Sequence, residues 1–148
     1  MDLCGPMRIT SKGGKRYVLV VVDDYSHFTW TLFLASKYET FEKFFVFLKR
    51  TEKRVGHSLV YLRSDHGKEF QIRSLLIIVM SMVLIIIFLP QEHPQQNGVV
   101  EHKNRTLEHM TKTILIASGL PRNFWAEALN TSCSVSYTHL TLPTKRIV

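Results

Sequence analysis

The apolar positions in the first quarter of the chain form short, nearly continuous runs separated by turn residues. YVLVVV at residues 17–22 is β-branched throughout much of its length, which is typical of a strand buried on both faces. Gly13 and Gly14 predict a hairpin turn between it and an earlier strand near residues 4–9. After a polar turn, HFTWTLFLA at residues 27–35 predicts a third strand. The pattern therefore predicts an antiparallel meander of three strands.

A helical pattern comes next. Ser36 and Glu39 have the S-x-x-E spacing of a capping box, and Gly56 marks the expected helix end. The helix should carry an apolar stripe, which consists of Phe41, Phe44, Phe45 and Leu48. Its C-terminal end should be basic, with Lys49, Arg50, Lys53 and Arg54. These cations either contact phosphates or complement the helix dipole in solvent, and the second interpretation is the simpler one.

SLVYLRSD at residues 58–65 predicts a fourth strand that ends at Asp65, and ligands gather at the carboxyl ends of strands in α/β folds. Residues 75–89 then carry no charge. This tract is shorter than the roughly 20 apolar residues that span a membrane and has no flanking aromatic anchors. A buried strand or core helix is favoured, and no membrane partner is expected.

Two helices are predicted in the last third. Leu107, Met110, Ile114 and Ala117 form one apolar stripe, with Glu101 opposite to it. Residues 119–121, Gly-Leu-Pro, separate this helix from another that has Trp125, Ala128 and Leu129 on one side. Together these elements predict an α/β fold, a mixed sheet flanked by helices.

Charge narrows the class of partner. Nineteen Lys and Arg against twelve Asp and Glu give a formal charge of +7 and a pI near 9.6, which favours a polyanion such as nucleic acid. Charge alone leaves a basic domain without that role equally open. Cys4 and Cys133 are the only cysteines, so no disulfide framework and no zinc site are indicated. Without a secretory signal at Met1, an intracellular location is expected.

Three acids carry the candidate chemistry. Asp65 in SDHGKEF and Glu101 in PQQNGVVEHKNR are separated by 35 residues, and Asp2 precedes both in MDLCGPM. These pieces, followed by LPRNFWAEALN in the same order, resemble the integrase catalytic core of copia-type LTR retrotransposons. The resemblance covers residues 2–71 and 94–133. It implies a ribonuclease H-like mixed sheet, the three-strand meander plus parallel strands, that is incomplete at both ends.

The resemblance also implies an activity. It makes Asp2, Asp65 and Glu101 the catalytic ligands of two Mg²⁺ or Mn²⁺ ions, with Asp2 bridging them, in a polynucleotidyl transferase that inserts retrotransposon DNA. Lys103 and Arg105, with Asn104 between them, are the expected DNA contacts beside Glu101. The implied partners are the retrotransposon DNA ends, the target DNA and other integrase domains in a homo-oligomer, with the nucleus as the working location.

Other interpretations stay open. Each acid could be a surface charge, and Glu101 with Arg105 and Glu108 with Lys112 have the i, i+4 spacing of ordinary helix ion pairs. The chain could also be an inactive integrase remnant that at most binds DNA non-specifically. Asp2 is expected to fray, because the upstream half of its strand is missing, and the zinc module that the family carries before the core is not supplied by these residues. His66, Lys68 and His102 depart from the family's usual residues at their positions.

Two segments do not match the family. The family has a polar helix and a short strand at residues 74–93, where this chain has an isoleucine-rich run. Codons that encode residues 74–93 can be chosen so that reading them one base earlier or later gives FIDYCNEHGINHNFLAPRTP, which is the kind of sequence that the family carries here. We therefore predict that this tract is translated out of frame within an integrase core-like domain of residues 1–133. Residues 134–148 show no family pattern and are interpreted as a foreign tail.

Overall fold

A computed structural model describes the backbone of residues 1–65, 85–89 and 98–147 and the side chains of residues 1–63, 98 and 100–136. It has five strands and three α-helices in the described ranges. Their bounds are β1 Asp2–Cys4, β2 Tyr17–Val22, β3 Thr29–Leu34, α1 Thr40–Val55, β4 Tyr61–Asp65, β5 Ile85–Leu89, α2 Gly98–Ser118 and α3 Trp125–Ile147. Single 3-10 turns at Lys37–Glu39 and Arg122–Phe124 precede α1 and α3.

The strands form the mixed arrangement that the sequence predicts. β2 pairs antiparallel with β1 and with β3, whereas β4 and β5 pair parallel to each other. The backbone nitrogen of Met1 donates to the carbonyl oxygen of Arg63 at 2.8 Å, so β1 lies beside β4. Asp2, which the sequence expects to fray, is paired with Val20 in β1. An α/β fold with a three-strand meander and a parallel pair is therefore confirmed.

The first strand is shorter than predicted. It ends at Cys4 and not near residue 9, since Pro6 has no N–H to continue the ladder. Residues beyond it lie against the start of α3, where the carbonyl of Ile9 accepts from the Trp125 indole nitrogen at 2.8 Å. The expected glycine turn is present, because the Gly14 nitrogen donates to the Ser11 carbonyl at 2.9 Å.

The meander is buried on both faces, as β2 predicts. One face packs against α1 and the other against α2 and α3. We call the first the α1 core, which consists of Met1, Leu19, Leu34, Phe44, Leu48 and Leu62. The second is the α2–α3 core, which consists of Val18, Val20, Leu107, Trp125, Ala126, Leu129 and Cys133. Alternate residues of β2 point into the two cores, as strand geometry requires.

The start and end of α1 follow the capping prediction with one change. The Ser36 hydroxyl oxygen accepts from the Tyr38 nitrogen at 3.3 Å, as an N-cap should. The Glu39 carboxylate, however, accepts from the nitrogen of Ala35 at 3.1 Å, one residue before the cap. Gly56 adopts φ 77°, and its nitrogen donates to the Glu52 carbonyl at 2.8 Å, which ends the helix.

The apolar stripe predicted on α2 is wrong beyond Leu107. Met110 and Ile114 are only half-buried and Ala117 is exposed. The inward face instead carries Val100, Leu107 and Thr111, with Asn104 between them. Two polar side chains can face inward because each has a polar partner in the fold, so they displace part of the apolar stripe.

Some predictions fall outside the described residues. Of residues 74–93, only β5 at Ile85–Leu89 is described, and this tract therefore contains a strand. The shifted reading frame stays a prediction, because the other residues of the tract lie outside the described part of the chain. The backbone of α3 continues through residue 147, and the foreign origin of residues 134–148 stays a prediction. None of the helices in the described ranges combines the length and the apolar character needed to cross a membrane.

Candidate active site

Asp2 is held by the sheet and by α2 together. Its backbone is paired with Val20, and its half-buried carboxylate accepts a hydrogen bond from the Asn104 side-chain nitrogen at 2.7 Å. The same nitrogen lies 3.3 Å from the sulfur of Cys4. A short bond to an ionised carboxylate is among the stronger hydrogen bonds in proteins. The first acid of the candidate set is therefore positioned by a residue 102 places away in sequence.

Asp65 is the last residue of β4, as the sequence predicts. It is paired with Leu89 of β5 in parallel register. The hydrogen bond from Met1 to Arg63 joins β1 to β4 two residues before Asp65. The backbone thus brings the carboxyl end of β4 close to Asp2, while the side chain of Asp65 lies outside the described part of the chain.

Glu101 occupies the first turn of α2 and is exposed. It precedes Asn104 by three residues, which is about one helical turn. Because Asn104 contacts Asp2, the first turn of α2 and its carboxylate are brought to the same edge of the sheet. Among the described side chains, no group of three His, Cys, Asp or Glu residues forms a metal cluster, and that set does not include the side chain of Asp65.

The side chains of Glu101 and Arg105 are both described, and they do not form the ion pair that the sequence allows. The corresponding pair two turns further along α2 does form, with 2.7 Å between Lys112 and Glu108. The two glutamates thus differ although both are exposed on one helix. Glu101 is therefore not paired with the cation four residues later in the chain.

The three expected DNA contacts have different surroundings. The ammonium of Lys103 donates to the Ser136 hydroxyl of α3 at 2.8 Å, and Asn104 donates to Asp2. Arg105 is exposed to solvent. A DNA role for these residues stays a prediction. The contact between Asn104 and Asp2 was not predicted from the sequence. The one signal that could have indicated it is that Asn104 lies one helical turn after Glu101.

The side-chain oxygen of Asn104 is buried and has no hydrogen-bond partner among the described residues. An unpaired buried amide oxygen costs roughly 1–3 kcal/mol. The side chain accepts this cost because its nitrogen, the only donor of an asparagine side chain, faces the Asp2 carboxylate. The orientation of the amide is therefore set by the acid.

Asp23 and Asp24 belong to the turn between β2 and β3. The Asp23 carboxylate accepts from the backbone nitrogen of Ser26 at 2.9 Å and from the Ser26 hydroxyl. These bonds, that of the hydroxyl first, lower the pKa of Asp23 below its ordinary value. Asp24 lies 3.7 Å from Arg63 in an exposed ion pair. Both acids thus have structural partners in the turn.

The three-strand antiparallel meander, the parallel pair beside it and the flanking helices form an α/β fold of the ribonuclease H-like class. Solved structures show the same fold. The similar region of the simian T-cell lymphotropic virus intasome, in complex with PP2A regulatory subunit B56 gamma, has a TM-score of 0.64 and 16% identity over 84% of this chain and 43% of that one. The HTLV-2 integrase catalytic core domain in complex with magnesium, in its dimeric form, has a TM-score of 0.56 and 18% identity over 79% of this chain and 71% of that one.

Sequence relatives give the family. The Integrase core domain model matches residues 1–93. The chain is 36% identical over 132 residues to the retrovirus-related Pol polyprotein from transposon TNT 1-94 of Nicotiana tabacum, which covers 89% of this chain and 10% of the polyprotein. It is 30% identical over 123 residues to that from transposon RE2 of Arabidopsis thaliana, covering 82% of this chain and 8% of the polyprotein. The chain spans about a tenth of these relatives, and it belongs to the integrase core domain family.

Proposed function

We propose that the chain is the catalytic core of a copia-type retrotransposon integrase, a polynucleotidyl transferase that joins the DNA ends of the element to target DNA. The observation that carries the proposal is the hydrogen bond from Asn104 to Asp2. It fixes the start of α2, with Glu101, against β1, and β1 lies beside the strand that ends at Asp65. The backbone positions of Asp2 and Asp65, together with the contact between α2 and Asp2, support a shared site for these three acids.

The acids suit a hard divalent cation. Carboxylate oxygens are the ligands that Mg²⁺ and Mn²⁺ prefer, and Glu101 has no ion-pair partner among the described side chains to compete with a metal. Asp2 and Asp65 would hold one ion, and Asp2 and Glu101 the second. Two such ions supply activation of the attacking oxygen and stabilisation of the leaving oxygen. Asn104 contributes by keeping the Asp2 carboxylate in one orientation.

The charge of the chain supports DNA as substrate. A net charge of +7 attracts phosphate backbones, and Arg105 is exposed one turn after Glu101. Integrases of the same fold are seen in an intasome and as dimers and trimers. We therefore include element ends and target DNA as partners, a homo-oligomer as the working form, and the nucleus as its location.

Strand transfer tests the proposal directly. In a chain whose residues 74–93 are replaced by FIDYCNEHGINHNFLAPRTP, we expect Mn²⁺-dependent joining of a labelled duplex, and the unaltered chain should be nearly inactive. Asp65→Asn and Glu101→Gln should each remove the activity without unfolding the domain, because each removes a ligand charge. Glu108→Gln is the matched control, since it changes an exposed glutamate of the same helix. Full activity of Glu101→Gln would overturn the proposal.

The active core and a remnant that only binds DNA should both bind a duplex, and they differ in whether they also join DNA. The affinity for a labelled duplex should fall steeply between low and moderate salt, since cations are released when Lys and Arg contact phosphates. A frame-corrected chain that binds in this way but never joins DNA would identify the inactive remnant. Affinity that does not change with salt would contradict both.

A further inference from the structure

We propose that a groove on the side of the domain formed by α2 binds a peptide segment that carries acidic and aliphatic residues. The groove lies between α2, the start of α3 and the connection from β1 to β2, and its volume is about 980 Å³. Asn104 and Cys4 line one part of it, and Arg122 and Leu120 line another. We call it the α2 groove. The proposal does not depend on the catalytic activity.

The floor and walls of the α2 groove are apolar. Its floor belongs to the α2–α3 core and includes Val18, Val20, Leu107, Trp125 and Leu129. Three aliphatic side chains on its walls remain exposed: Ile9 by 39%, Ile116 by 82% and Leu120 by 46%. Large aliphatic side chains exposed together around a concave surface are characteristic of protein interaction sites.

The rim of the groove is cationic. Arg8, Lys112 and Arg122 line it, and all three are exposed. Among the described residues that line the groove, Glu108 is the only acid, and its carboxylate is paired with Lys112 at 2.7 Å. Arg8, on the connection from β1 to β2, and Arg122, on the connection from α2 to α3, are the remaining cations that can contact a ligand. A complementary ligand therefore carries carboxylates at its edges.

The kind of wall favours a peptide over nucleic acid. Single-stranded nucleic acid binds by stacking its bases on exposed aromatic rings, whereas the exposed wall residues here are aliphatic. Trp125 is only 8% exposed, and its indole nitrogen is bonded to the Ile9 carbonyl. The apolar groups that a duplex exposes, its thymine methyls, lie within the major groove and do not project into a groove on a protein. Leucine or isoleucine side chains on one face of a helix fit such a surface, and intervening glutamates can reach the arginines.

The test uses the 148-residue chain and a fluorescein-labelled peptide of about 15 residues, roughly four helical turns, with Leu at positions i, i+3, i+4 and i+7 and Glu between them. Fluorescence anisotropy should show saturable binding. Ile116→Glu should weaken it by roughly tenfold or more, since it places a charge on the apolar wall and repels the peptide. Arg122→Gln should weaken it less and reduce its dependence on salt.

Two controls make the result decisive. Val46→Glu introduces the same charge at a valine of α1 that is 44% exposed and lies outside the groove, so it should leave binding unchanged. A peptide of the same composition without the leucine stripe should bind at least tenfold more weakly. Equal loss in the Ile116 and Val46 variants, or equal binding of the two peptides, would overturn the proposal. Complete displacement of the peptide by a short single-stranded oligonucleotide would assign the groove to nucleic acid and would also overturn it.

Discussion

The two faces of the three-strand meander are built differently. The α1 core centres on Phe44, which is 1% exposed, and the buried hydroxyl beside it, that of Thr40 in the first turn of α1, donates to the Lys37 carbonyl at 2.6 Å. The α2–α3 core has buried hydroxyls beside it, from Thr111 and Ser132, and the Asn104 amide at its edge. Its helices also carry the candidate acid Glu101 and the amide that holds Asp2. The comparison teaches that one face supplies stability, while the other gives up apolar area for polar contacts that position a site.

The largest effect is expected on the α1 face. Phe44→Ala should lower the free energy of unfolding by about 3–5 kcal/mol, because it removes a fully buried aromatic side chain and leaves a cavity. Urea denaturation of the full chain measures the change. Val46→Ala on the same helix, at an exposed position, should change it by less than about 0.5 kcal/mol. A similar cost for both variants would show that α1 does not pack as described.

On the opposite face, Asn104→Leu should separate positioning from stability. It removes the bond to the Asp2 carboxylate, but it also removes the buried oxygen that has no partner among the described residues, so the net loss should be only about 1 kcal/mol. Binding of Mn²⁺ should weaken by roughly tenfold or more, as for other residues that orient metal ligands. Asn130→Leu, at an exposed position on α3, should change neither quantity. Unchanged Mn²⁺ affinity in Asn104→Leu would show that the contact is merely structural.

The two buried hydroxyls offer a finer test. Thr111 and Ser132 lie 3.4 Å apart, but each is closer to a carbonyl of its own helix, at 2.7 Å from Leu107 and 2.8 Å from Ala128. Each hydroxyl has one proton and gives it to that carbonyl. Thr111→Val and Ser132→Ala should each cost about 1 kcal/mol, and the double variant should be additive within about 0.5 kcal/mol. A larger coupling would show that the hydroxyls bond to each other across the helices.

The smallest effect concerns the two thiols. Burial raises the pKa of Cys133, although the charge of Lys103 partly opposes this, and the Cys133 sulfur donates to the carbonyl of Thr29 at 3.1 Å. The unfolded thiol ionises near pH 8.5, so the stability contributed by the protonated form is complete below that pH and is lost as pH rises towards the higher folded pKa. Iodoacetamide at mildly alkaline pH should modify half-buried Cys4 before Cys133, as mass spectrometry can show. Faster modification of Cys133 would contradict its burial.

The sequence predicted the α1 side well and the α2 side only in part. The capping residues, the phenylalanine stripe and Gly56 are local signals, and local hydrogen bonds and periodicity decide α1. On α2, hydrophobicity pointed to Met110, Ile114 and Ala117, whereas Asn104 and Thr111 face inward. The Asp2 carboxylate that Asn104 contacts lies 102 residues away, so no local pattern reveals this contact, whereas the Thr111 hydroxyl bonds to the Leu107 carbonyl of its own helix. The positions of Asp65 at a strand end and Glu101 on a helix were predicted; the amide that supports Asp2 was not.

The central claim is that the fold gathers Asp2, Asp65 and Glu101 around a divalent metal. The test is a titration with Mn²⁺, monitored by electron paramagnetic resonance and without any DNA, of the chain whose residues 74–93 are replaced by FIDYCNEHGINHNFLAPRTP. We expect saturable binding that is lost in Asp65→Asn and Glu101→Gln and retained in Glu108→Gln, which changes the paired glutamate two turns further along α2. Equal Mn²⁺ binding by Glu101→Gln and Glu108→Gln would contradict the claim.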